Sequence, residues 1–367
     1  MVCWSFIRAL FLVGRADGER SSETEPMKVS MSDASTCAEG DSDTDMETLG
    51  REMMDGIKNL GNEALQWCKN DFELVKTLQA GSHNKCSVKV MKHLDTGRMV
   101  AVKKGHGRLH RPRGFFGKKL MTELEMDAGL VRFLHKRNFP YVCEPLGVFE
   151  DNLNTYVVTA FAERGDLFSW CEHPPQAGAR RETAMKPIIT QVITAVRWLH
   201  DFNISHGDIS LENILLSTKA DGSAAAKIID FGAANMTRIC SGVRGKPSYR
   251  APEMHEAFHY DGFLNDSFAL GVLCFCMAAA DYPWTSTRAS ACVHFEFARK
   301  NGLRRLLEQR RMFVGGGRLV EYFSVELIEM LEGLLAVSPK DRFTLGEQVA
   351  FSGLQRKSVW DGQWLEN

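Results

Sequence analysis

The 367-residue sequence has no apolar run that approaches the roughly 20 residues that a membrane-spanning helix needs. It has no surplus of charge of either sign, because 45 Lys and Arg residues face 46 Asp and Glu residues. Its ten cysteines include no pair with zinc-finger spacing, and the one close pair, Cys274 and Cys276, lies in an apolar helical pattern. We therefore expect free thiols in a reducing cytoplasmic or nuclear compartment, and no nucleic-acid partner.

The amino-terminal region divides into two parts of different composition. Residues 1–14 are apolar but are interrupted by Arg8, whereas a signal peptide carries its positive charge before the apolar region. Secretion or membrane association is therefore not expected. Residues 15–50 are rich in Ser, Thr, Asp and Glu and cannot bury enough apolar surface to offset ordering. We predict a disordered or targeting extension over 1–50 and a short amphipathic lead-in helix within 51–71, carried by Met53, Met54, Ile57 and Leu60.

A loop between a predicted helix and a predicted strand carries an acid and an amide five residues apart. Apolar residues recur every three or four positions over 185–199, which indicates a half-buried helix, and the run 214–216 indicates a strand. Asp208 and Asn213 stand between them, and a second acid, Asp230, follows on a sharp turn. One carboxylate to orient a hydroxyl, with an amide and a carboxylate to hold Mg²⁺, are the groups that phosphoryl transfer needs.

Together with Lys103, at the end of Met99-Val100-Ala101-Val102-Lys103, and with Ala251-Pro252-Glu253, this set resembles the eukaryotic protein kinase superfamily. The elements recur in the family's order over roughly residues 72–355. The resemblance implies an α+β fold of two lobes: a small β-rich lobe over about 72–160 and a larger helical lobe over about 161–355. Residues 356–367 would form a carboxy-terminal tail.

The resemblance implies ATP and Mg²⁺ as cofactors and a protein as the substrate. Asp208 would accept or orient the substrate hydroxyl proton, Lys103 would hold the α- and β-phosphates, and Asn213 and Asp230 would hold the metal. The other residues implied to line the nucleotide site are Gly81 in the glycine turn, Ala101 and Leu215 around adenine, Thr159 as gatekeeper, Ala160 and Ala162 through their backbone, and Asp166 at the ribose.

The family pairs the strand lysine with an acid on the following helix, and three acids are available here. Apolar residues follow that acid by one, three, four and seven positions in the family, and Asp127 fits this pattern. Glu125 and Glu123 do not, although Glu123 lies one turn earlier on the same face and is the alternative. We expect Asp127, shorter than the usual Glu, to pair with Lys103.

Two departures from the family pattern concern phosphate binding. Of the three glycines in G-x-G-x-x-G only Gly81 remains, with Gln79 and Asn84 in the other places. Gly207 replaces the arginine that anchors a phosphate on the activation segment. We therefore expect a non-RD enzyme whose activity does not depend on that phosphorylation.

A third departure exchanges two residues that meet beside the γ-phosphate in the family. Ser210 occupies the place of a lysine, and Lys246 occupies the place of a threonine. We hypothesise a swap in which Lys246 returns the ammonium from the opposite wall and Ser210 takes the hydroxyl role. The alternative is that Lys246 is a solvated loop residue.

The resulting prediction is an ATP- and Mg²⁺-dependent protein serine/threonine kinase. Asp166 and Glu212 fall where basophilic members hold an arginine, so we expect a mild preference for basic residues upstream of the target. The alternative is a pseudokinase that acts as a scaffold or an allosteric interaction module. The departures support it, whereas the retained Lys103, Asp208 and Asn213 are residues that a scaffold does not need.

Overall fold

A computed structural model describes residues 42–80, 86–107, 109, 122–173, 175–312, 316–347 and 356–366. The small lobe and its lead-in segment consist of helix α1 (Ser42–Lys58), strands β1 (Leu65–Gln66), β2 (Phe72–Gln79), β3 (Ser87–His93) and β4 (Met99–His106), helix α2 (Glu123–Lys136), and strands β5 (Pro145–Glu150) and β6 (Asn154–Ala160). The six strands form one sheet in the order β1-β5-β6-β4-β3-β2. All neighbours are antiparallel except β1 and β5.

The alternation of strand β4 decides which of its side chains reach the cleft. Val100 and Val102 are buried on one face, so Ala101 and Lys103 lie on the opposite face, as the two-residue period of a strand requires. Ala101 lies opposite Thr159 in the register with β6, and Lys103 lies opposite Val157. Helix α2 packs against this face. The strand thus directs Lys103 toward the acids of α2.

Aromatic residues close the other face of the sheet. The Trp67 ring stacks on Phe72 with centroids 4.7 Å apart and on Tyr156 with centroids 4.2 Å apart. Trp67 belongs to the lead-in segment, and its backbone N–H donates to Glu150 O at 2.8 Å. The lead-in segment is therefore part of the small lobe.

The beginning of the chain differs from the expectation. Helix α1 starts at Ser42, so the end of the stretch 1–50 is helical, while residues 1–41 lie outside the described residues. The helix predicted within 51–71 is present as the last part of α1, which carries Met53, Met54 and Ile57 and ends at Lys58. After α1 the chain forms a 3₁₀ turn at Asn59–Gly61, strand β1 and a second 3₁₀ turn at Lys69–Asp71. Polar residues dominate the sequence before residue 50 and concealed the start of this helix.

The large lobe is mainly helical. Its elements are α3 (Leu167–Cys171), α4 (Ala179–Asp201), β7 (Ile214–Thr218), β8 (Ala224–Ile228), β9 (Ile239–Ser241), α5 (Glu253–Glu256), β10 (His259–Asp261), α6 (Gly262–Ala279), α7 (Val293–Asn301), α8 (Leu303–Gln309), α9 (Val325–Leu334) and α10 (Gln363–Glu366). Helix α6 is the one described helix long and apolar enough to cross a bilayer, and it is buried along its whole length within the lobe. It forms the centre of the main core.

The carboxy-terminal residues 356–366 pack on the large lobe. The indole N–H of Trp360 donates to Leu345 O at 2.7 Å, and that of Trp364 donates to Glu182 Oε2 at 3.2 Å. Glu253 and Arg342 form an ion pair in which Nη2 lies 2.9 Å from Oε2. The eight cysteines among the described residues are free thiols.

Candidate active site

Three charged side chains from three elements converge between the lobes. The Lys103 Nζ on β4 lies 2.8 Å from Asp127 Oδ2 on α2 and 2.8 Å from Asp230 Oδ1 on the loop after β8. Burial alone would lower the pKa of Lys103, but the two carboxylates outweigh it and raise the pKa above its ordinary value. Lys103 is therefore a fixed ammonium at the base of the cleft.

Of the three candidate acids on α2, the structure brings Asp127 to Lys103. Its second oxygen, Oδ1, accepts the backbone N–H of Phe231 at 2.9 Å. The short side chain thus joins β4, α2 and the loop after β8. Glu125 has a local role instead: it forms a capping box with Thr122 at the start of α2.

The backbone at Asp230 has an uncommon conformation. Its φ of +66° lies in the left-handed region, which non-glycine residues rarely adopt, so the surroundings must hold it there. Two hydrogen bonds do so: His206 Nε2 donates to Ile229 O at 3.1 Å, and Phe231 N–H is bound by Asp127. Burial would raise the pKa of Asp230, but Lys103 lowers it below its ordinary value, so this carboxylate is ionised.

The loop that carries Asp208 is held by hydrogen bonds to a buried acid of α6. Asp266 Oδ2 accepts the N–H of His206 at 2.7 Å, and Oδ1 accepts the N–H of Gly207 at 2.9 Å. His200, at the end of α4, contacts the same Oδ2 at 3.2 Å. Satisfying these backbone donors within the core gives the loop one defined path.

Asp208 has one oxygen engaged and one unpaired. Asn213 Nδ2 donates to Asp208 Oδ2 at 3.0 Å and to Asp208 O at 2.8 Å. Oδ1 is buried without a hydrogen-bond donor among the described residues, and Gly245 lies over it. Burial raises the pKa of Asp208 above its ordinary value, against the lowering effect of Lys246. A carboxylate with a raised pKa suits acceptance of a hydroxyl proton.

Asn213 and Asp230 present oxygen donors that suit Mg²⁺. The N–H of Ile229 donates to Asn213 O at 3.0 Å, so the residues immediately before Asp230 lie beside Asn213. Because Nδ2 of Asn213 points at Asp208, its Oδ1 is directed elsewhere. Asp230 has one oxygen on Lys103, and its side chain is 46% exposed. One amide oxygen and one carboxylate fit a cation that usually takes few protein ligands and completes its shell with phosphates and water.

The two exchanged residues meet. Lys246 Nζ lies 2.6 Å from Ser210 Oγ and 3.0 Å from Glu212 Oε2. Ser210 is fully buried, so its hydroxyl can hold Lys246 but is not open to a substrate. The side chain of Lys246 is 37% exposed, and its charge acts on the carboxylates of Asp208 and Asp230. Lys246 is therefore not the freely solvated loop lysine of the alternative, because it contacts both Ser210 and Glu212.

The residues implied to line the nucleotide site fall on both walls of the cleft. Ala101 and Thr159 are half-buried neighbours in the sheet, and Leu215 is half-buried on β7 in the large lobe. The N–H of Ala160 is already bonded to Glu144 O at 2.9 Å, so Ala160 could offer a nucleotide only its carbonyl.

Two further positions and one turn complete the nucleotide set. Ala162 is buried, with 5% of its surface exposed. Asp166 caps α3, because its Oδ1 accepts the N–H of Ser169 at 2.7 Å, so one of its two carboxylate oxygens is engaged. Gly81 lies outside the described residues.

Sequence reasoning did not assign His206 and Glu347. His206 donates through Nε2 to a carbonyl, which leaves Nδ1 as the acceptor for the N–H of Asp208 at 3.3 Å. Glu347 Oε1 lies 2.8 Å from His200 Nδ1, on the side of the ring opposite Asp266. His206 sits two residues before Asp208, and that short spacing was a usable signal. Glu347 is far away in sequence and gave none.

Comparison with known proteins agrees with this geometry. A family model described as the protein kinase domain matches residues 72–352. The serine/threonine-protein kinase SIK2 of Gallus gallus is 25% identical over 75% of this chain and 31% of its own length. Protein kinase kin1 of Schizosaccharomyces pombe is 27% identical over 76% of this chain and 30% of its own length.

A shorter match is closer in identity. The serine/threonine-protein kinase ppk6 of Schizosaccharomyces pombe is 30% identical over 50% of this chain and 24% of its own length. The chain thus spans less than a third of the length of these relatives. The family match covers more than half of the chain, including Lys103, Asp127, Asp208, Asn213 and Asp230. The chain belongs to the protein kinase family.

Proposed function

We propose that the chain transfers the γ-phosphoryl group of ATP to serine or threonine hydroxyls of a protein substrate, in a Mg²⁺-dependent reaction. The observation that carries this proposal is the contact of Lys103 with both Asp127 and Asp230 beside the loop of Asp208. Preference for serine or threonine is supported by the distant relatives that bear that name.

The residues have separable tasks in such a reaction. Lys103 and the pair Asn213 and Asp230 would hold the phosphates and the metal, and the bound Mg²⁺ would neutralise charge that develops on the phosphates. Asp208 orients the substrate hydroxyl and takes its proton. Asn213 keeps this carboxyl from turning, because its amide occupies Oδ2.

Lys246 supplies the second ammonium of the site. Its placement on Ser210 and Glu212 sets the charge on the wall opposite Lys103, where it can stabilise the transferring phosphoryl. Ser210, being buried, positions Lys246 and does not touch the substrate. This revises the swap hypothesis, because the Ser210 hydroxyl holds Lys246 in place and does not take the role of the family's threonine hydroxyl.

Substrate preference is constrained by the same contacts. Glu212 is paired with Lys246, and one oxygen of Asp166 caps α3. An arginine upstream of the target residue would have to compete with Lys246 for Glu212. We therefore expect a weak preference for upstream basic residues, seen as less than about fivefold enrichment in a peptide array, or about 1 kcal/mol.

The test is ³²P transfer from γ-labelled ATP to protein by the full chain. We expect incorporation by the wild type, and a loss of at least about a hundredfold in Asp208→Asn. The matched control is Asp95→Asn, which makes the same change at an exposed turn residue between β3 and β4. Incorporation by Asp208→Asn at the wild-type rate would refute the proposal.

Wild-type protein that binds Mg-ATP without transferring phosphate would instead support the pseudokinase. Gly207 and Ser210 are the residues that favour this second candidate, because neither supplies the cation the family has there. Nucleotide binding measured by calorimetry separates the two functions. Absence of binding would exclude both ATP-dependent transfer and a nucleotide-gated scaffold.

A further inference from the structure

Helix α1 lies outside the family match, which begins at residue 72, yet it is packed into the small lobe. Met53, Ile57 and Leu60 are at most 3% exposed. Ile57 and Leu60 share a cluster with Leu124 and Ala128 of α2. An added segment that buries its apolar face on the helix carrying Asp127 is a feature of this chain beyond the shared domain.

The closest approach is at Gly129 of α2. A Cβ built on Gly129 would lie 2.2 Å from Ile57 Cγ1 and 3.1 Å from Ile57 Cα. No side chain fits there, so the two helices touch backbone to side chain. Glycine in a helix interior costs roughly 0.5–1 kcal/mol relative to alanine, so intrinsic helix stability does not account for its presence. The close packing of Ile57 against the Gly129 backbone, which we call the seat of Ile57, does account for the glycine.

Ion pairs flank this seat along α2. Arg132 pairs with Glu63, which follows the 3₁₀ turn after α1, and Arg137 pairs with Glu52 within α1. Arg137 also lies over the Phe133 ring, 5.3 Å from its centroid. Pairs of this kind each contribute little energy, but they join the lead-in segment to α2 and to the residue that follows it.

The same helix α2 carries the acid of the active site two residues before Gly129. Asp127 holds Lys103 with one oxygen and the N–H of Phe231 with the other. A shift of α2 away from β4 would break both contacts together. Gly207 has no side chain to bind a phosphate on the activation segment, whereas α1 packs directly on α2.

We propose that α1 is a built-in brace for α2, and that Ile57 and Gly129 are positioning residues that hold Asp127 against Lys103 and Phe231. The proposal extends the proposed kinase activity to its control, and it rests on that function only for its kinetic readout. The brace acts by contact within one chain, so no partner and no covalent modification is needed for α2 to stay in place.

The test is a double-mutant cycle in the full chain. Gly129→Ala inserts the Cβ that meets Ile57, and Ile57→Ala removes the Cγ1 atom that it meets. We expect Gly129→Ala to lower kcat/KM for ATP by at least about fivefold. The double variant should recover part of the loss of Gly129→Ala, because Ile57→Ala removes the contact at 2.2 Å but leaves Cβ at 3.0 Å and Cα at 3.1 Å. If the fold-losses in kcat/KM of the two single variants simply multiply in the double variant, the proposal is overturned.

The matched control is Gly56→Ala. Gly56 lies in α1 itself, and a Cβ built there meets no heavy atom within 4 Å. The substitution should therefore leave kcat/KM for ATP unchanged and leave Tm unchanged or slightly higher. A purely structural role for Gly129 predicts a lower Tm with normal kcat/KM below the transition, and that result would count against the brace.

Hydrogen exchange separates this proposal from the kinase assignment. The N–H of Phe231 is protected by Asp127, so peptides that cover 228–233 report the position of α2 without turnover. We expect faster exchange there in Gly129→Ala than in Gly56→Ala. If the wild-type chain shows no kinase activity but exchange is still faster in Gly129→Ala, the brace is supported and the kinase function is rejected. Unchanged exchange would reject the brace whatever the activity.

Discussion

At the scale of single residues, Asp127 joins two contacts that depend on its length. Its two oxygens reach Lys103 Nζ and Phe231 N at 2.8 and 2.9 Å. A carboxylate on a side chain one methylene shorter than Glu requires α2 to lie close to β4. At Gly129, two residues later, the absence of a side chain also lets α1 lie close to α2.

Changing Asp127 should expose this dependence on length. Asp127→Glu keeps the charge but adds a methylene, so α2 must move outward, and we expect kcat/KM for ATP to fall about tenfold, or about 1.4 kcal/mol. Asp127→Asn keeps the size but loses the charge beside Lys103 and should cost more. Steady-state kinetics with varied ATP measure both. A Glu variant as active as wild type would show that the length is immaterial.

Lys246 gives a second prediction at this scale. Lys246→Ala removes the ammonium beside the phosphoryl site, and we expect kcat to fall by well over threefold, about 0.7 kcal/mol at that threshold. The combined variant Ser210→Lys/Lys246→Thr restores the family's arrangement and should recover most of the lost kcat. Measuring kcat of wild type and of both variants in the same phosphorylation assay tests this prediction. A loss smaller than threefold in Lys246→Ala would make it an ordinary loop lysine.

At the scale of elements, His200 connects α4 and α6 with the segment of Glu347. It contacts Asp266 at 3.2 Å and Glu347 at 2.8 Å, and it is fully buried. Burial alone would lower the pKa of His200, but the hydrogen bonds and charges of the two acids raise it to about 9, from an ordinary 6.5. At neutral pH it is therefore a buried imidazolium between two carboxylates.

This arrangement predicts a dependence of stability on pH. The folded-state pKa lies above the unfolded value, so the contribution of His200 is complete below about pH 6.5 and is lost as the pH rises through about 9. His200→Gln, which keeps hydrogen-bonding capacity without charge, should be least stable relative to wild type near pH 6. The difference in Tm should narrow toward pH 9.5. Thermal denaturation across this range measures it, and a constant difference would contradict the charged state.

At the scale of the whole molecule, the candidate site has no arginine at position 207 to bind a phosphate on the activation segment. Gly207, with φ +74°, has no side chain to bind one, and a Cβ there would lie 2.8 Å from Ala233 O. Lys103, Asp127 and Asp230 are nevertheless in contact. The small lobe holds α2 through α1, and the large lobe holds the loop of Asp208 through Asp266.

Dephosphorylation should therefore leave activity in place. We expect treatment of the purified full chain with a broad phosphatase to change kcat/KM by less than about twofold. Position 207 is a glycine, so it offers no basic side chain that a phosphate could bind. The measurement is substrate phosphorylation before and after treatment, with complete removal checked by mass spectrometry. A loss of about tenfold or more would show that a phosphorylated residue orders the site by another route.

The convergence of charged residues in the cleft could be predicted from the sequence, because short motifs on strands and tight turns have fixed geometry. The period of β4 put Lys103 and Ala101 on one face, and the apolar pattern around Asp127 selected it from three acids. The apolar helical pattern around Cys274 and Cys276 indicated α6. The choice of Asp127, by contrast, followed the spacing of the family that the sequence resembles.

Other features depended on contacts between distant parts of the chain. Glu347 meets His200 across 147 positions, and nothing near Glu347 indicates that partner. The start of α1 at Ser42 lies in a polar segment whose helix is stabilised by burial of later residues against α2. Ser210 was expected to offer its hydroxyl, but its burial follows from packing of the loop and could not be read from its neighbours.

The Trp67 ring, stacked on Phe72 and Tyr156, precedes the point where the family match starts. A shortened polypeptide that began at residue 72 would leave both rings facing water and would lose the outermost strand, β1. A fragment meant for crystallisation should therefore begin upstream of Leu65, because a start at residue 72 removes part of the hydrophobic covering of the sheet.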